Sequence, residues 1–103
     1  MIYRVIFTQS FWDDYACAQS HISSVASSVS PAYALEMELD RAIDTVQRYP
    51  FAMQPYFEYG VSNDVYRAID VKSYLAFYVV KEDTVEFRRF LYARSNIPAW
   101  LLK

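Results

Sequence analysis

The stretch VYRAIDVKSYLAFYVVKEDTVEFRRFLYARSN, from Val65 to Asn96, constrains the fold of this chain more than any other. Three runs rich in β-branched and aromatic residues are separated by two short polar connections, Asp70-Val71-Lys72-Ser73 and Lys81-Glu82-Asp83. That pattern predicts an antiparallel meander. Residues 65–70 alternate Val65, Arg67 and Ile69 against Tyr66, Ala68 and Asp70, the period of a strand with two unlike faces. The third run, Thr84–Tyr92, breaks its own period: strict alternation groups Arg89 with Val85, Phe87 and Leu91, and Phe90 with Glu86 and Arg88. A one-residue bulge near Arg88-Arg89 restores an apolar set of Val85, Phe87, Phe90 and Tyr92.

Upstream of the meander the period changes. Residues 2–7 predict a short strand, closed by the polar Thr8-Gln9-Ser10. Thr8 or Ser10 is suited to cap a helix, and Asp13 lies favourably in its first turn. Apolar positions then recur at Phe11, Tyr15, Ala18, Ile22 and Val25, one stripe of an amphipathic helix. The serine-rich segment 23–30 weakens that helix, and Ser30-Pro31 supplies an N-cap and a first-turn proline for a second. Its stripe is Leu35, Leu39, Ala42, Val46 and Tyr49, and it stops before Pro50. Two helices joined by a short turn form an αα-hairpin. Residues 50–64 hold two prolines and the chain's one glycine and read as a loop with room for a short strand. This loop is either functional or a plain crossing from the helices to the sheet. The tail Ile97–Leu102 is apolar enough to pack. The order of elements predicts an α+β domain spanning residues 1–103, in which an N-terminal strand and an αα-hairpin precede an antiparallel meander packed against the helices.

A chain of 103 residues with ten tyrosines and seven phenylalanines has enough apolar surface for one core. One cysteine, Cys17, excludes an intramolecular disulfide and suits a reducing cytoplasm. The N-terminus interrupts its apolar run with Arg4 and lacks the long apolar centre of a signal peptide, and no run approaches the ~20 residues that span a bilayer. A soluble cytoplasmic protein without membrane attachment is expected. The net charge of −2 hides a split, since residues 1–64 carry three basic and eight acidic side chains, while residues 65–103 carry seven basic and four acidic. A mildly basic face is therefore available to steer an anionic partner even though the whole is acidic.

Several chemistries are unsupported by this residue set. The single histidine, His21, argues against a histidine metal cluster and a Ser-His-Asp triad, and one glycine cannot build a phosphate-cradling loop. No metal or other cofactor is expected. Cys17 reads as a small packed or surface side chain, and Glu36, Glu38, Asp40 and Asp44 as the solvated face of the second helix. What remains is Arg67, Lys72, Arg88, Arg89, Tyr92 and Arg94, gathered on neighbouring strands. Guanidiniums on a sheet either grip phosphate and stabilise charge developing on phosphorus, or serve as ordinary surface cations paired with acids such as Glu86 and Asp70. Tyr92 is suited to stack on a base or to donate a proton.

The element order, the helix PAYALEMELDRAIDTVQRYP, the hairpin VYRAIDVKSYLAFYVV and the closing VEFRRFLYARSNIP together resemble the RelE/ParE superfamily of bacterial toxins, over about Tyr3 to Asn96. The resemblance implies the toxin half of a type II toxin–antitoxin module, neutralised by a cognate antitoxin protein. It implies one of two targets, mRNA on the ribosome for a RelE-like endoribonuclease or DNA gyrase for a ParE-like inhibitor, or else a relic that only binds its antitoxin. Arg67 falls where the family places the arginine of the first meander strand, and Arg94 falls in its arginine-containing C-terminal strand end. Tyr92 takes a neighbouring position where a histidine or another polar or aromatic residue is common. Glu58 is the general-base candidate by analogy with related nucleases that use a glutamate. The chain departs from the strongly basic RelE-like nucleases in lacking lysines between Phe51 and Asn63.

Overall fold

The computed structural model describes residues 2–25, 30–56 and 64–95. Strand β1 (Arg4–Phe7) leads into α1 (Gln9–Val25) and α2 (Ser30–Arg48), and the meander follows as β2 (Arg67–Val71), β3 (Tyr74–Lys81) and β4 (Thr84–Tyr92). The sheet order is β1-β4-β3-β2. β2, β3 and β4 pair antiparallel, as their spacing predicts, while β1 lies parallel to β4, with Val5 beside Val85 and Phe7 beside Phe87. The sheet is thus mixed, and the N-terminal strand closes the edge reached last by the chain.

Local chemistry sets the boundaries. Thr8 caps α1, its Oγ1 accepting a hydrogen bond from the Phe11 amide at 3.2 Å, and the helix begins two residues earlier than a Ser10 cap would allow, which leaves Asp13 beyond the first turn. Asp13 bonds with the Gln9 side chain. The α2 stripe holds at Leu35, Leu39, Ala42 and Val46, which are buried, but Tyr49 lies beyond the helix end and is 65% exposed. Both hairpin turns have two residues, Lys72-Ser73 and Glu82-Asp83, and both put a non-glycine residue at positive φ, Lys72 at 56° and Glu82 at 54°. The left-handed conformation costs such residues roughly 1 kcal/mol.

α1 lies over β4 and α2 over β2, covering one face of the sheet. Between them Phe11, Leu35, Val46, Val71, Tyr78, Val85, Phe87 and Phe90 are essentially inaccessible to solvent. Phe11 sits 5.7 Å from Phe87 and 5.6 Å from Phe90, so one helix residue bridges the two rings that the irregular strand β4 must aim inward. Each such ring contributes about 2–3 kcal/mol by leaving water. On the far face Tyr66, Phe77 and Val79 form a second, smaller buried cluster. Glu36, Asp40 and Asp44 line the exposed side of α2, the solvated face expected of them. Gln47 ties the end of α2 to the N-terminal strand, with its backbone oxygen accepting from Tyr3 N and its side chain donating to Tyr3 O. Among the described residues no helix is long and apolar enough to cross a membrane. Glu58, the serine-rich turn 26–29 and the tail Ile97–Leu102 lie outside the described residues.

Candidate functional site

The site is built around the irregularity in β4. Facing β3, Phe87 pairs with Tyr78 while Arg89 pairs with Phe77, so Arg88 is the extra residue of a β-bulge. Val85, Phe87 and Phe90 all turn toward the helices, and the two adjacent arginines part company.

Arg88 joins the far-face cluster. It is bonded to Glu86, to Asp64 at 2.9 Å and to the Tyr66 hydroxyl at 2.9 Å, and its guanidinium lies 5.4 Å from the Tyr66 ring centre. Burial alone would favour the neutral form, yet the hydrogen bonds to Tyr66, Asp64 and Glu86 hold its pKa above the usual arginine value. In return Arg88, and after it Lys81, hold the Asp64 carboxyl below its ordinary value. Arg89 turns to α1, where Nε donates to Asp14 at 2.7 Å and Nη2 at 3.1 Å, and that pairing raises its pKa.

Arg67 is also engaged. Its side chain bonds the Met53 carbonyl and lies 5.2 Å from the Phe51 ring centre, pinning residues 51–53 to the sheet. A lone bridge between Pro55 and Arg67, with Tyr56 N donating to Tyr66 O, is the part of a short strand that this loop forms. Beside Arg67, the buried Tyr78 hydroxyl donates to Pro50 O at 2.8 Å, and burial pushes its pKa up to about 12 against the opposing pull of Arg67.

The opposite end of the sheet is open. A groove of about 440 Å³ runs between His21 and Ile22 of α1, Pro31, Ala34 and Leu35 of α2, and the Lys72–Tyr74 turn, with Tyr92 on its wall. A second hollow of about 380 Å³ continues it past Cys17 and Asp14 and shares His21, Tyr74 and Tyr92. Tyr74 stacks on Phe90 at 5.0 Å and meets Tyr92 edge-on at 5.6 Å. Burial, and then the neighbouring Tyr92, raises the Tyr74 pKa. A bond from Ala93 N to Ser73 O at 2.9 Å clips the end of β4 to the β2–β3 turn, and Ser95 bonds Tyr92 O through both its amide and its hydroxyl. The groove is thus mostly apolar and is bordered by His21, Lys72, Tyr74 and Tyr92. Among the described residues no group of three or more His, Cys, Asp or Glu is placed to hold a metal ion.

Of the residues singled out from sequence, Tyr92 and Lys72 meet in this groove, and Arg94 stands exposed in the turn two residues past Tyr92. Arg67 does not join them. It pairs with Tyr78, four residues along β3 from the Tyr74 that pairs with Tyr92, a separation of ~13 Å along the strand and ~10 Å across two strand spacings. His21 is the residue that sequence reasoning passed over. It adjoins the apolar stripe one position before Ile22 and three after Ala18, a placement that predicts a residue at the edge of the helix–sheet contact.

No family model matches the sequence, and no curated protein matches it. Solved structures do match. A chain of the chromosomal ParDE TA system from P. aeruginosa superposes with a TM-score of 0.72 at 11% identity, covering 90% of this chain and 98% of that one. A chain of the E. coli DinJ-YafQ toxin-antitoxin complex superposes with a TM-score of 0.63, also at 11% identity, covering 95% of this chain and 100% of that one. Identity this low carries the fold alone, and the match spans helices, mixed sheet and element order together. The chain has the RelE/ParE-like toxin fold.

Proposed function

We propose that this protein is the toxin of a type II toxin–antitoxin module, held inactive in the cytoplasm by a cognate antitoxin protein, and that it acts by binding a protein target rather than by cutting RNA. The fold shared with proteins of two toxin–antitoxin assemblies supports the first part. The second rests on one observation: of the four guanidiniums gathered on the sheet, Arg67, Arg88 and Arg89 are bonded within the chain. Phosphate capture would have to break Arg88 from Asp64 and Glu86, or Arg89 from Asp14, at the cost of those ion pairs. We take the target to be DNA gyrase, as the ParE-like resemblance implies, with the Tyr92 groove as the candidate contact surface. Expression without the antitoxin is expected to halt growth and induce the DNA-damage response while mRNA stays intact. Bulk mRNA cleavage without that response overturns this reading.

The groove itself favours a second reading. His21 and Tyr92 are groups able to exchange a proton, Lys72 lines the same groove and Arg94 follows Tyr92 by two residues, the components of metal-independent RNA cleavage. On this reading Tyr92 and Arg94 work in the groove, while Arg67 and Glu58, carried over from the family pattern, would have to join them. The double variant Arg67→Ala, Arg94→Ala is then expected to relieve growth arrest and mRNA cleavage together, and undiminished cleavage would reject that assignment.

A further inference from the structure

β4 outruns its parallel neighbour. β1 ends at Phe7, opposite Phe87, so among the described residues no strand lies beside the outer edge of β4 beyond Phe87. The start of α1 takes that place. Thr8 N donates to Phe87 O at 3.0 Å, Thr8 Oγ1 donates to the carbonyl of the bulged Arg88 at 2.9 Å, and the Asp14 carboxylate accepts from the Phe90 amide at 3.0 Å while holding the Arg89 guanidinium. The backbone groups left at this edge around the bulge are thereby answered by the helix cap, Thr8, and by Asp14 in the second turn of α1.

We infer that Asp14 and Thr8 are positioning residues that fix the register of β4, and through it the presence of Tyr92 in the groove. A strand has period two, so the single extra residue decides which face every later side chain shows. With Tyr78 opposite Phe87 and no bulge, Ala76 would face Arg89 and Tyr74 would face Leu91. Arg89 would then enter the core where Phe90 now packs, and Tyr92 would turn to the far face. The bulged register instead sets Ala76 against Phe90 and Tyr74 against Tyr92. A polar latch on the edge thus determines whether a tyrosine wall exists at the groove. The register claim stands alone, and its functional consequence rests on the groove being the acting surface.

Cross-strand proton contacts and residue-resolved amide exchange test this in the full chain carrying Asp14→Ala, Asp14→Asn or Thr8→Val. Asp14→Ala is expected to lose the Tyr74–Tyr92 contact in favour of Tyr74–Leu91 and to speed exchange of the Phe90 amide about tenfold or more. Asp14→Asn keeps an acceptor for that amide and is expected to restore the Tyr74–Tyr92 contact, which general loss of stability would not explain. Thr8→Val is expected to populate the Tyr74–Leu91 contact in a measurable fraction of molecules. If Asp14→Ala does not fold, the other two variants decide the matter by the same contacts. Retention of the Tyr74–Tyr92 contact and of Phe90 protection in Asp14→Ala, or in Thr8→Val where Asp14→Ala is lost, overturns the latch. Toxicity persisting in Tyr92→Ala would instead remove the groove as the acting surface, with the register still decided by the contacts.

Discussion

The two ends of the sheet treat the same kinds of side chain in opposite ways. Near Pro50, the cation of Arg67 and the phenol of Tyr78 each find a backbone carbonyl, and the loop closes over them. At the Lys72–Tyr92 end, a cation and two phenols border an open groove beneath the ends of the helices. The contrast teaches that residue type alone does not mark a site. An arginine bonded to a loop carbonyl is an architectural part, whereas a half-exposed tyrosine on a groove wall is available to a partner.

The comparison extends to stability. Truncation at the engaged groups should be costly, and truncation at the groove should be cheap. The largest effect is expected for Arg88→Ala, which takes from both Asp64 and Glu86 an ionic partner only 17% exposed. A loss of about 2–3 kcal/mol is expected in chemical denaturation, and a loss under about 0.5 kcal/mol would show that the network is surface-like. Next is Tyr78→Phe, which leaves Pro50 O without its donor and should cost about 1–2 kcal/mol with the fold retained.

Acid provides a third test. The folded Asp64 pKa lies below its unfolded value, so this group stabilises the fold fully above the ordinary carboxylate range of about pH 4 and loses that contribution as pH falls toward its depressed folded value. Asp64→Asn is expected to flatten the acid limb of a stability–pH curve, and an unchanged limb would dissociate Asp64 from Arg88. The smallest stability change is expected for Tyr92→Ala at the open end. With Tyr92 44% exposed, it should shift unfolding by less than about 1 kcal/mol while weakening binding of antitoxin or target. A larger loss of stability would mean that this end, too, is architecture.

Much of this was legible in the chain. The apolar stripes at Phe11–Ala18 and Leu35–Val46 named buried residues directly, because a helix repeats every 3.6 residues and leaves one face to the core. The broken alternation at Arg88-Arg89 predicted a bulge for the same kind of reason: charged and aromatic residues could not exchange faces without exposing Phe90 or burying Arg89. Arg67 was legible as an arginine but not as an engaged one, since Met53 and Phe51 approach it only when the loop folds back. His21 could be placed from its neighbours at the edge of the helix–sheet contact, but nothing local tied it to the groove it shares with Tyr92.

The sequence by itself determined the elements and their amphipathic faces and signalled an irregularity in β4, since these depend on periodicity and turn chemistry within a few positions. Only the tertiary structure decided that β1 lies parallel beside β4, that α1 continues the edge where β1 stops, and that Asp14 answers the bulge. These depend on groups 75 or more residues apart in the chain, such as Asp14 with Arg89 and Thr8 with Arg88. Their pairing is set by which backbone donors and acceptors would otherwise remain unmet, a condition that exists only once the sheet has formed.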